Sequence, residues 1–244
     1  MKCLILAAGY ATRLYPLTEN FPKPLLKVGD KAILDWLVDD LSEHIEEFVV
    51  ISNHKFAQHF ETWAATRPEK ITVVDDGTST NETRLGAVCD VQFAIDSLHL
   101  DDEMLVMAGD NLLDFSLSKF VDYAREKGTS CIMRYYEPSE PRLHKSGIVE
   151  IDDSDLIVSM EEKPAEPKSH WCCPPFYIYT REDAHRVADG IAAGCGTDAP
   201  GSYIAWLASV TPVHAMEMPG HRYDIGNLES YHQVCENYSR TVIE

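Results

Sequence analysis

The chain carries the sequence LILAAGYATRLYPLT at residues 4–18, followed by PKP at residues 22–24. The apolar run at residues 3–8 predicts a strand that is buried on both faces, and Gly9 begins a turn of small residues. Small residues let backbone N–H groups approach a polyphosphate closely, and such groups form an anion-binding nest. Arg13 can bind two phosphate oxygens at once, while Lys23 adds a mobile point charge. The stretch therefore predicts a polyphosphate-binding loop at the end of a buried strand.

This loop differs from the two common glycine-rich phosphate motifs. The next glycine after Gly9 is Gly29, which excludes both G-x-x-x-x-G-K-[ST] and G-x-G-x-x-G. The Asp153-Ser154-Asp155 segment fits the D-x-D pattern of glycosyltransferases, but it lies between two apolar runs and is interpreted as a hairpin tip.

The composition limits the partners of the protein. The 244 residues carry a formal net charge of −19, which repels nucleic acid and anionic lipid, so neither is expected to bind. Any phosphate ligand must be held by a local cluster of cations. Seven cysteines without a C-x-x-C spacing predict reduced thiols rather than disulfides or a zinc site. No apolar segment approaches the roughly 20 residues of a membrane span, so we expect a soluble, cytoplasmic protein.

Strand and helix patterns alternate through the first half of the chain. Strands are predicted at residues 3–8, 48–52, 71–74, 104–108 and 131–135, and helices near Asp30, at 56–65, from Gly86 onward and at 120–127. This alternation indicates a parallel sheet with helices on both faces, whose ligands bind at the carboxyl ends of the strands. Gly9 and Asp110 both fall at such ends.

The second half has a different pattern. It predicts an aromatic-rich strand at residues 171–179 that two prolines interrupt, a helix at 181–193, and a final helix capped by Asn227. We interpret the chain as one domain, residues 1–244, with a nucleotide-binding half at 1–110 and an acceptor-binding half at 111–244.

The opening loop also resembles a known family. Leu6-Ala7-Ala8-Gly9-x-x-Thr12-Arg13-Leu14-x-Pro16-Leu17-Thr18, with Pro22-Lys23-Pro24, is similar to the signature of the sugar-phosphate nucleotidyltransferases, or NDP-sugar pyrophosphorylases, such as glucose-1-phosphate thymidylyltransferase. Ala11 stands where this family usually has a second glycine. Because alanine disfavours positive φ, we expect a turn of slightly different shape there.

The resemblance implies a fold and a set of site residues. The fold is a Rossmann-like, GT-A-like α/β class with a mixed, mainly parallel sheet and helices on both faces. The resemblance implies Mg²⁺ ligands at Asp110 and Asp224. Nucleotide-binding residues would be Leu6, Ala7, Ala8, Gly9, Tyr10, Ala11, Thr12, Arg13, Leu85 and Gly86. Acceptor-binding residues would be Asn111, Gly147, Glu162 and Lys163.

The implied reaction transfers NMP from an NTP to a sugar 1-phosphate and gives NDP-sugar and pyrophosphate. Arg13 would hold the departing pyrophosphate, Lys23 would stabilise charge at the α-phosphate, and Lys163 would position the attacking phosphate. The alternatives are a CTP-dependent cytidylyltransferase acting on a phosphoalcohol such as phosphocholine or on a phosphonate, and, more remotely, a GT-A glycosyltransferase. The base, the acceptor, the oligomeric state and any role of residues 76–84 stay open.

Overall fold

The computed structural model describes residues 1–238. These residues form fourteen strands: β1 (Lys2–Leu6), β2 (Lys27–Val28), β3 (Lys31–Ala32), β4 (Glu47–Ser52), β5 (Ile71–Asp75), β6 (Met104–Ala108), β7 (Asn111–Leu113), β8 (Ser130–Tyr136), β9 (Gly147–Ile151), β10 (Ile157–Glu162), β11 (Trp171–Cys173), β12 (Phe176–Tyr179), β13 (Val213–Glu217) and β14 (Arg222–Asp224). They also form nine α-helices: α1 (Ile33–Leu41), α2 (Ala57–Ala64), α3 (Ala87–Leu98), α4 (Ser118–Lys127), α5 (Glu140–Leu143), α6 (Arg181–His185), α7 (Val187–Ala192), α8 (Gly201–Leu207) and α9 (Leu228–Asn237).

The chain divides into two compact units, each assembled from segments that are distant in sequence. The first unit contains Met1–Arg84, Ala108–Ser118 and the chain from Pro219 onward, and the second contains Leu85–Met107 and Lys119–Met218. The division of one domain into a nucleotide-binding half at residues 1–110 and an acceptor-binding half at residues 111–244 stays a prediction.

The first unit is built on parallel strands. β4 pairs with β1 on one side and with β5 on the other, in parallel on both sides. All six residues of β4 are buried, as are Cys3, Leu4 and Ile5 of β1, which matches the predicted strand buried on both faces. The parallel arrangement brings the carboxyl ends of these strands to one edge, where the residues after β1 begin the candidate site.

A short antiparallel pair, β7 with β14, completes this unit on the side of the candidate site. Asp224 lies opposite Asn111, and Arg222 opposite Leu113. Side chains alternate between the two faces of a strand, so the central residues Leu112 and Tyr223 point away from these polar neighbours. Both belong to or pack against an apolar cluster with Leu14, Leu26, Val28, Ile33, Ile225 and Val234. That cluster fixes the strand pair to the loop after β1 and to α9.

The second unit has a mixed sheet. β12 pairs with β6 and β8, β11 with β8 and β9, and β10 with β9, all antiparallel, while β13 runs parallel to β8. Pro174 and Pro175 separate β11 from β12, as the sequence predicted, because proline cannot donate to a strand ladder. The D-x-D segment is a turn between β9 and β10, in which the Asp152 carboxylate accepts hydrogen bonds from the Ser154 and Leu156 amides.

Two helix predictions need correction. The helix expected near Asp30 begins at Ile33, because residues 27–32 form the antiparallel pair β2 and β3 around Gly29 at φ +68°. The helix expected at 181–193 is divided into α6 and α7, and the Arg186 amide bonds to the Asp183 carbonyl in a tighter turn. The final helix begins as predicted, since Asn227 accepts a hydrogen bond from the Ser230 amide. Among residues 1–238, no helix has the length and apolar character needed to cross a membrane.

Candidate active site

The loop after β1 is held by buried polar contacts within the first unit. The Asn53 amide donates to the Ala8 carbonyl at 2.8 Å, and the Thr18 hydroxyl donates to the Ala11 carbonyl at 2.8 Å. Both side chains are fully buried. The Tyr10 hydroxyl donates to the Thr78 carbonyl at 3.3 Å, which ties the loop to the segment after β5. These carbonyls are therefore satisfied by the protein itself, while Gly9 and Thr12 stay exposed.

Ala11 adopts the left-handed conformation, with φ 46° and ψ 42°. Alanine thus takes up here the positive φ that it disfavours, and a turn shape that differs from that of the family stays a prediction. The Ala11 carbonyl accepts bonds from both the Leu14 amide and the Thr18 hydroxyl, and its methyl group packs against the apolar cluster. These contacts offset the roughly 1–2 kcal/mol that a left-handed conformation costs an L-residue.

Lys23 and Asp110 form a close ion pair. The Lys23 ammonium lies 2.7 Å from Asp110 Oδ2, and the lysine side chain is only 8% exposed whereas the carboxylate side chain is 39% exposed. Burial by itself raises the pKa of Asp110, but the positive charges of Lys23 and Arg222 outweigh it, so the pKa lies below its usual value. The carboxylate is thus ionised and accessible at neutral pH.

Gly109 allows this carboxylate to lie at the end of β1. Its amide donates to the Leu6 carbonyl at 3.1 Å, and a Cβ at position 109 would lie 2.8 Å from the Ile5 side chain. Any other residue here would force the Ile5 side chain or the backbone around residue 109 to shift.

Asn111 was predicted to bind the acceptor, and its side chain is only 1% exposed. The amide donates to Asp110 Oδ1 at 3.0 Å and accepts from Arg222 at 2.8 Å. In this structure the Asn111 side chain therefore orients Asp110, and an acceptor contact through it stays a prediction.

Asp224 and Arg13 both lie beside Gly226. A Cβ placed on Gly226 would be 3.9 Å from Asp224 Oδ2 and 3.9 Å from Arg13 Nη1. The Asp224 side chain is 63% exposed, and within residues 1–238 no hydrogen bond or ion pair holds the Arg13 guanidinium. The first unit thus brings Arg13, Lys23, Asp110 and Asp224 to one edge.

The donor set of these residues is chemically suited to a divalent metal ion. Mg²⁺ is usually held by one or two carboxylates together with substrate phosphates, rather than by a complete protein cage. Within residues 1–238, no group of three or more His, Cys, Asp or Glu side chains is placed to hold a metal ion. Asp110 and Asp224 are the carboxylates available for that role.

The segment at residues 76–84 has a buried beginning and an exposed remainder. Asp76 is 7% exposed; its Oδ1 accepts from the Thr78 amide, whereas its Oδ2 has no hydrogen-bond partner in residues 1–238. Burial raises the pKa of Asp76, although Thr78 opposes this effect. The start of the segment is therefore held in place next to Tyr10. Whether its exposed part contacts substrate stays an open question.

In the second unit, Gly86 is held by close backbone packing. Its φ is +94°, and a Cβ there would lie 2.6 Å from the Thr197 carbonyl oxygen. The Val88 amide donates to the same carbonyl at 3.0 Å, so the start of α3 is bound to this turn. Gly86 precedes α3 rather than lying in its first turn, and Leu85 stands half-buried before it.

Glu162 lies between two glycines of the same unit. A Cβ on Gly147 would come within 2.8 Å of its carboxylate, and one on Gly201, at the start of α8, would come closer still. Burial raises the pKa of Glu162, Lys163 opposes this, and Asp198 adds to it. The following residue, Lys163, is exposed at φ 49°, and its amide donates to the Ser146 carbonyl at 3.0 Å. These glycines leave room for the carboxylate beside an outward-pointing lysine.

The sequence pattern of the nucleotidyl transferase family matches residues 2–241. The chain belongs to this family. Among its curated relatives are a UTP–glucose-1-phosphate uridylyltransferase of Synechocystis (27% identical over 96% of this chain and 62% of the relative) and the bifunctional protein GlmU of Methanocaldococcus jannaschii (28% over 93% and 51%). A putative mannose-1-phosphate guanyltransferase of Sulfolobus acidocaldarius is 25% identical over 79% of this chain and 52% of the relative. The chain thus spans between about half and three fifths of the length of these relatives.

Solved structures of this family share the fold. A UDP-glucose pyrophosphorylase in complex with UDP-glucose has a TM-score of 0.81 over 96% of this chain and 97% of its own, at 19% identity. A putative glucose-1-phosphate thymidylyltransferase from Bacillus anthracis has a TM-score of 0.78 over 97% and 94%, at 20% identity. The prediction of a Rossmann-like nucleotidyltransferase fold with a mixed sheet is confirmed.

Sequence reasoning missed several residues that support the site. Arg222 lies two positions before Asp224, and on a strand this spacing places both on one face, which was an available signal. Gly201 and Asn53 gave no local signal, because their roles depend on contacts with Glu162 and Ala8 far away in sequence.

Proposed function

We propose that this nucleotidyl transferase family member transfers a nucleoside monophosphate from an NTP to a sugar 1-phosphate, with Mg²⁺, and releases pyrophosphate. The observation that carries the proposal is the convergence of Arg13, Lys23, Asp110 and Asp224 at the end of β1. An anionic nucleophile must approach an anionic triphosphate in this reaction, so fixed cations and carboxylates that can hold a metal are what it requires.

An acceptor phosphate oxygen attacks the α-phosphorus of the NTP in line. The new oxygen–phosphorus bond forms as the bond from the α-phosphorus to the bridging oxygen breaks, and that electron pair leaves with pyrophosphate. No general base is needed, because a phosphate monoester is largely ionised near pH 7. When bound, the divalent cation supplies Lewis-acid stabilisation of the phosphate oxygens.

The residues of the first unit have distinct roles in this proposal. Backbone N–H groups of residues 9–12 bind the triphosphate, and Arg13 binds the departing pyrophosphate with its guanidinium. Lys23 keeps Asp110 ionised before substrate arrives and then stabilises the charge that develops at the α-phosphate. Asp110 and Asp224 hold the metal.

The second unit supplies the residues that we assign to the acceptor. Glu162 accepts a hydrogen bond from a sugar hydroxyl, the backbone at Gly147 lines the sugar, and Lys163 binds the acceptor phosphate. The support is that Glu162 has a fixed place between two glycines and that Lys163 is exposed.

The test measures pyrophosphate release with purified protein and Mg²⁺, using ATP, CTP, GTP, UTP and dTTP crossed with hexose 1-phosphates, phosphocholine and a phosphonate. Release with a nucleotide–sugar phosphate pair, and loss of it on adding EDTA, are expected. Release with CTP and phosphocholine alone would support the phosphoalcohol alternative. Release with none of the pairs would contradict the proposal.

Asp110→Ala should lower kcat/KM at least about 100-fold, since it removes a metal carboxylate worth several kcal/mol in the transition state. Asp122→Ala is the matched control, because Asp122 lies exposed on α4 in the second unit. Circular dichroism of both variants should match the wild type. Full Mg²⁺-dependent activity of Asp110→Ala would remove this residue from the site.

A further inference from the structure

Arg222 bridges the two carboxylates of the candidate metal site. Its Nη1 donates to Asn111 Oδ1 at 2.8 Å and lies 4.0 Å from Asp224 Oδ1. Asn111 in turn donates to Asp110 Oδ1 at 3.0 Å. A continuous chain of polar contacts therefore runs from Asp224 through Arg222 and Asn111 to Asp110.

The chemistry of the guanidinium determines which atom donates and which accepts in these hydrogen bonds. Arginine has only donors, so the group that faces it must be the amide oxygen of Asn111. The amide NH₂ is then directed to Asp110, where it can only donate to the carboxylate. Asp110 Oδ1 and the Ala108 carbonyl, which lies 3.4 Å from the same amide nitrogen, can only accept, so they favour the same orientation. Loss of Arg222 would leave Asn111 Oδ1 without its donor and would release one of the contacts that hold this side chain against Asp110.

The strand pair makes these contacts rigid. Arg222 and Asp224 lie on one face of β14, opposite Leu113 and Asn111 of β7, and the central residues of both strands are anchored in the apolar cluster. The Arg222 side chain is largely buried, as is Asn111. A buried, paired arginine on anchored strands has little freedom to leave these partners.

We propose that Arg222 is a positioning residue for the divalent metal: it acts through Asn111 to orient the Asp110 carboxylate, and it lies at the limit of ion-pair distance from Asp224. The inference rests on the proposed function, because it assigns the metal to Asp110 and Asp224. Arg222 contacts neither substrate nor metal in this role.

A positioning role and a purely electrostatic role predict opposite effects on metal affinity. Loss of the positive charge alone would strengthen binding of a cation to the nearby carboxylates. Loss of positioning weakens it, and outer-shell partners of metal ligands typically contribute 10–100-fold in affinity.

The experiment titrates Mn²⁺ alone into the 244-residue protein and measures free Mn²⁺ by electron paramagnetic resonance. Arg222→Gln should raise the dissociation constant of the Asp110-dependent site at least about 10-fold. Arg222→Lys, which keeps the charge and a donor but loses the planar fork, should weaken binding by less than Arg222→Gln does. Arg181→Gln, which removes an exposed arginine that pairs with Asp101 in the second unit, is the matched control and should bind as the wild type does.

A double-mutant cycle tests the route through Asn111. In the Asn111→Leu background, Arg222→Gln should have at most about a threefold further effect, since the shared contact is already lost. Mn²⁺ binding by Arg222→Gln at or above wild-type affinity would overturn the inference while leaving the proposed function intact. If the wild type itself shows no site that Asp110→Ala removes, the inference fails, while Mg²⁺-dependent pyrophosphate release still decides the proposed function.

Discussion

At the scale of single residues, Ala11 shows how tertiary contacts can hold a strained backbone. Its left-handed conformation is unfavourable for alanine, yet two hydrogen bonds to its carbonyl and the packing of its methyl group hold it there. The strain lies in the loop that we propose binds the triphosphate.

Substitutions at Ala11 should separate strain from packing. Ala11→Gly should be at least as stable as the wild type, because glycine adopts positive φ freely. Ala11→Val should lower the free energy of unfolding by about 2 kcal/mol, because a β-branched residue is strained there. Urea unfolding at pH 7 measures both, and equal stability of the two variants would contradict the assignment of strain.

The buried carboxylate of Asp76 predicts a pH dependence. Its pKa is raised in the folded protein, so the folded state holds its proton more tightly than the unfolded state does. The contribution of this group to stability is therefore greatest at low pH and is lost as pH rises from the unfolded pKa through the folded one. Relative to Asp76→Asn, the wild type should lose stability across that window.

Urea unfolding of the wild type and of Asp76→Asn from pH 4 to 8 gives the difference in their free energies of unfolding. All other titrating groups are common to the two proteins, so the pH dependence of this difference comes from Asp76. A difference that does not change with pH would show that burial does not perturb the Asp76 carboxylate.

At the scale of elements, the turn at Gly86 joins the start of α3 to residues 197–198. The Val88 and Ala87 amides bond to the Thr197 and Asp198 carbonyls, which satisfies donors that the first turn of a helix leaves free. The glycine is required here by its φ of +94° and by the closeness of the Thr197 carbonyl. This structural requirement exists in addition to any contact with a nucleotide base.

Gly86→Ala should lower the free energy of unfolding by about 2–4 kcal/mol, because it combines positive φ with a clash against backbone. Gly128→Ala is the matched control: Gly128 also has positive φ, at +66°, but no atom lies within 4 Å of a Cβ there. Gly128→Ala should lower the free energy of unfolding by about 1 kcal/mol. Thermal and urea unfolding report both values, and an equal cost at the two positions would rule out the clash.

For the molecule as a whole, the seven cysteine thiols differ in how far they are exposed to solvent. None of the seven forms a disulfide, as the composition predicted, and they range from fully buried Cys3, Cys131 and Cys172 to exposed Cys235. Burial raises the pKa of the Cys131 thiol to about 11, which further lowers its reactivity at neutral pH.

The native protein at pH 8 should therefore react most rapidly with Ellman's reagent at Cys235, more slowly at the partly buried Cys89, Cys173 and Cys195, and at all seven thiols in denaturant. Cys235→Ser should remove the rapid phase. Reaction of more than three thiols in that variant without denaturant would mean that the buried cysteines are accessible in solution.

The sequence by itself determined the fold class and predicted the chemistry of the site. Its periodicity located the strands, its loop motif indicated a polyphosphate ligand, and the resemblance extended to Asp110, Glu162 and Asp224. Local patterns suffice for these features because a buried strand or a tight turn depends mainly on neighbours in sequence.

Only the tertiary structure decided how these residues are paired. It placed Lys23 on Asp110, directed Asn111 to Asp110 through Arg222, and closed Gly147 and Gly201 around Glu162. The physical reason is that each of these contacts joins different elements, and some join segments more than 80 residues apart. No local pattern records them, because the energy of a hydrogen bond or a close backbone approach depends on the neighbour that folding supplies.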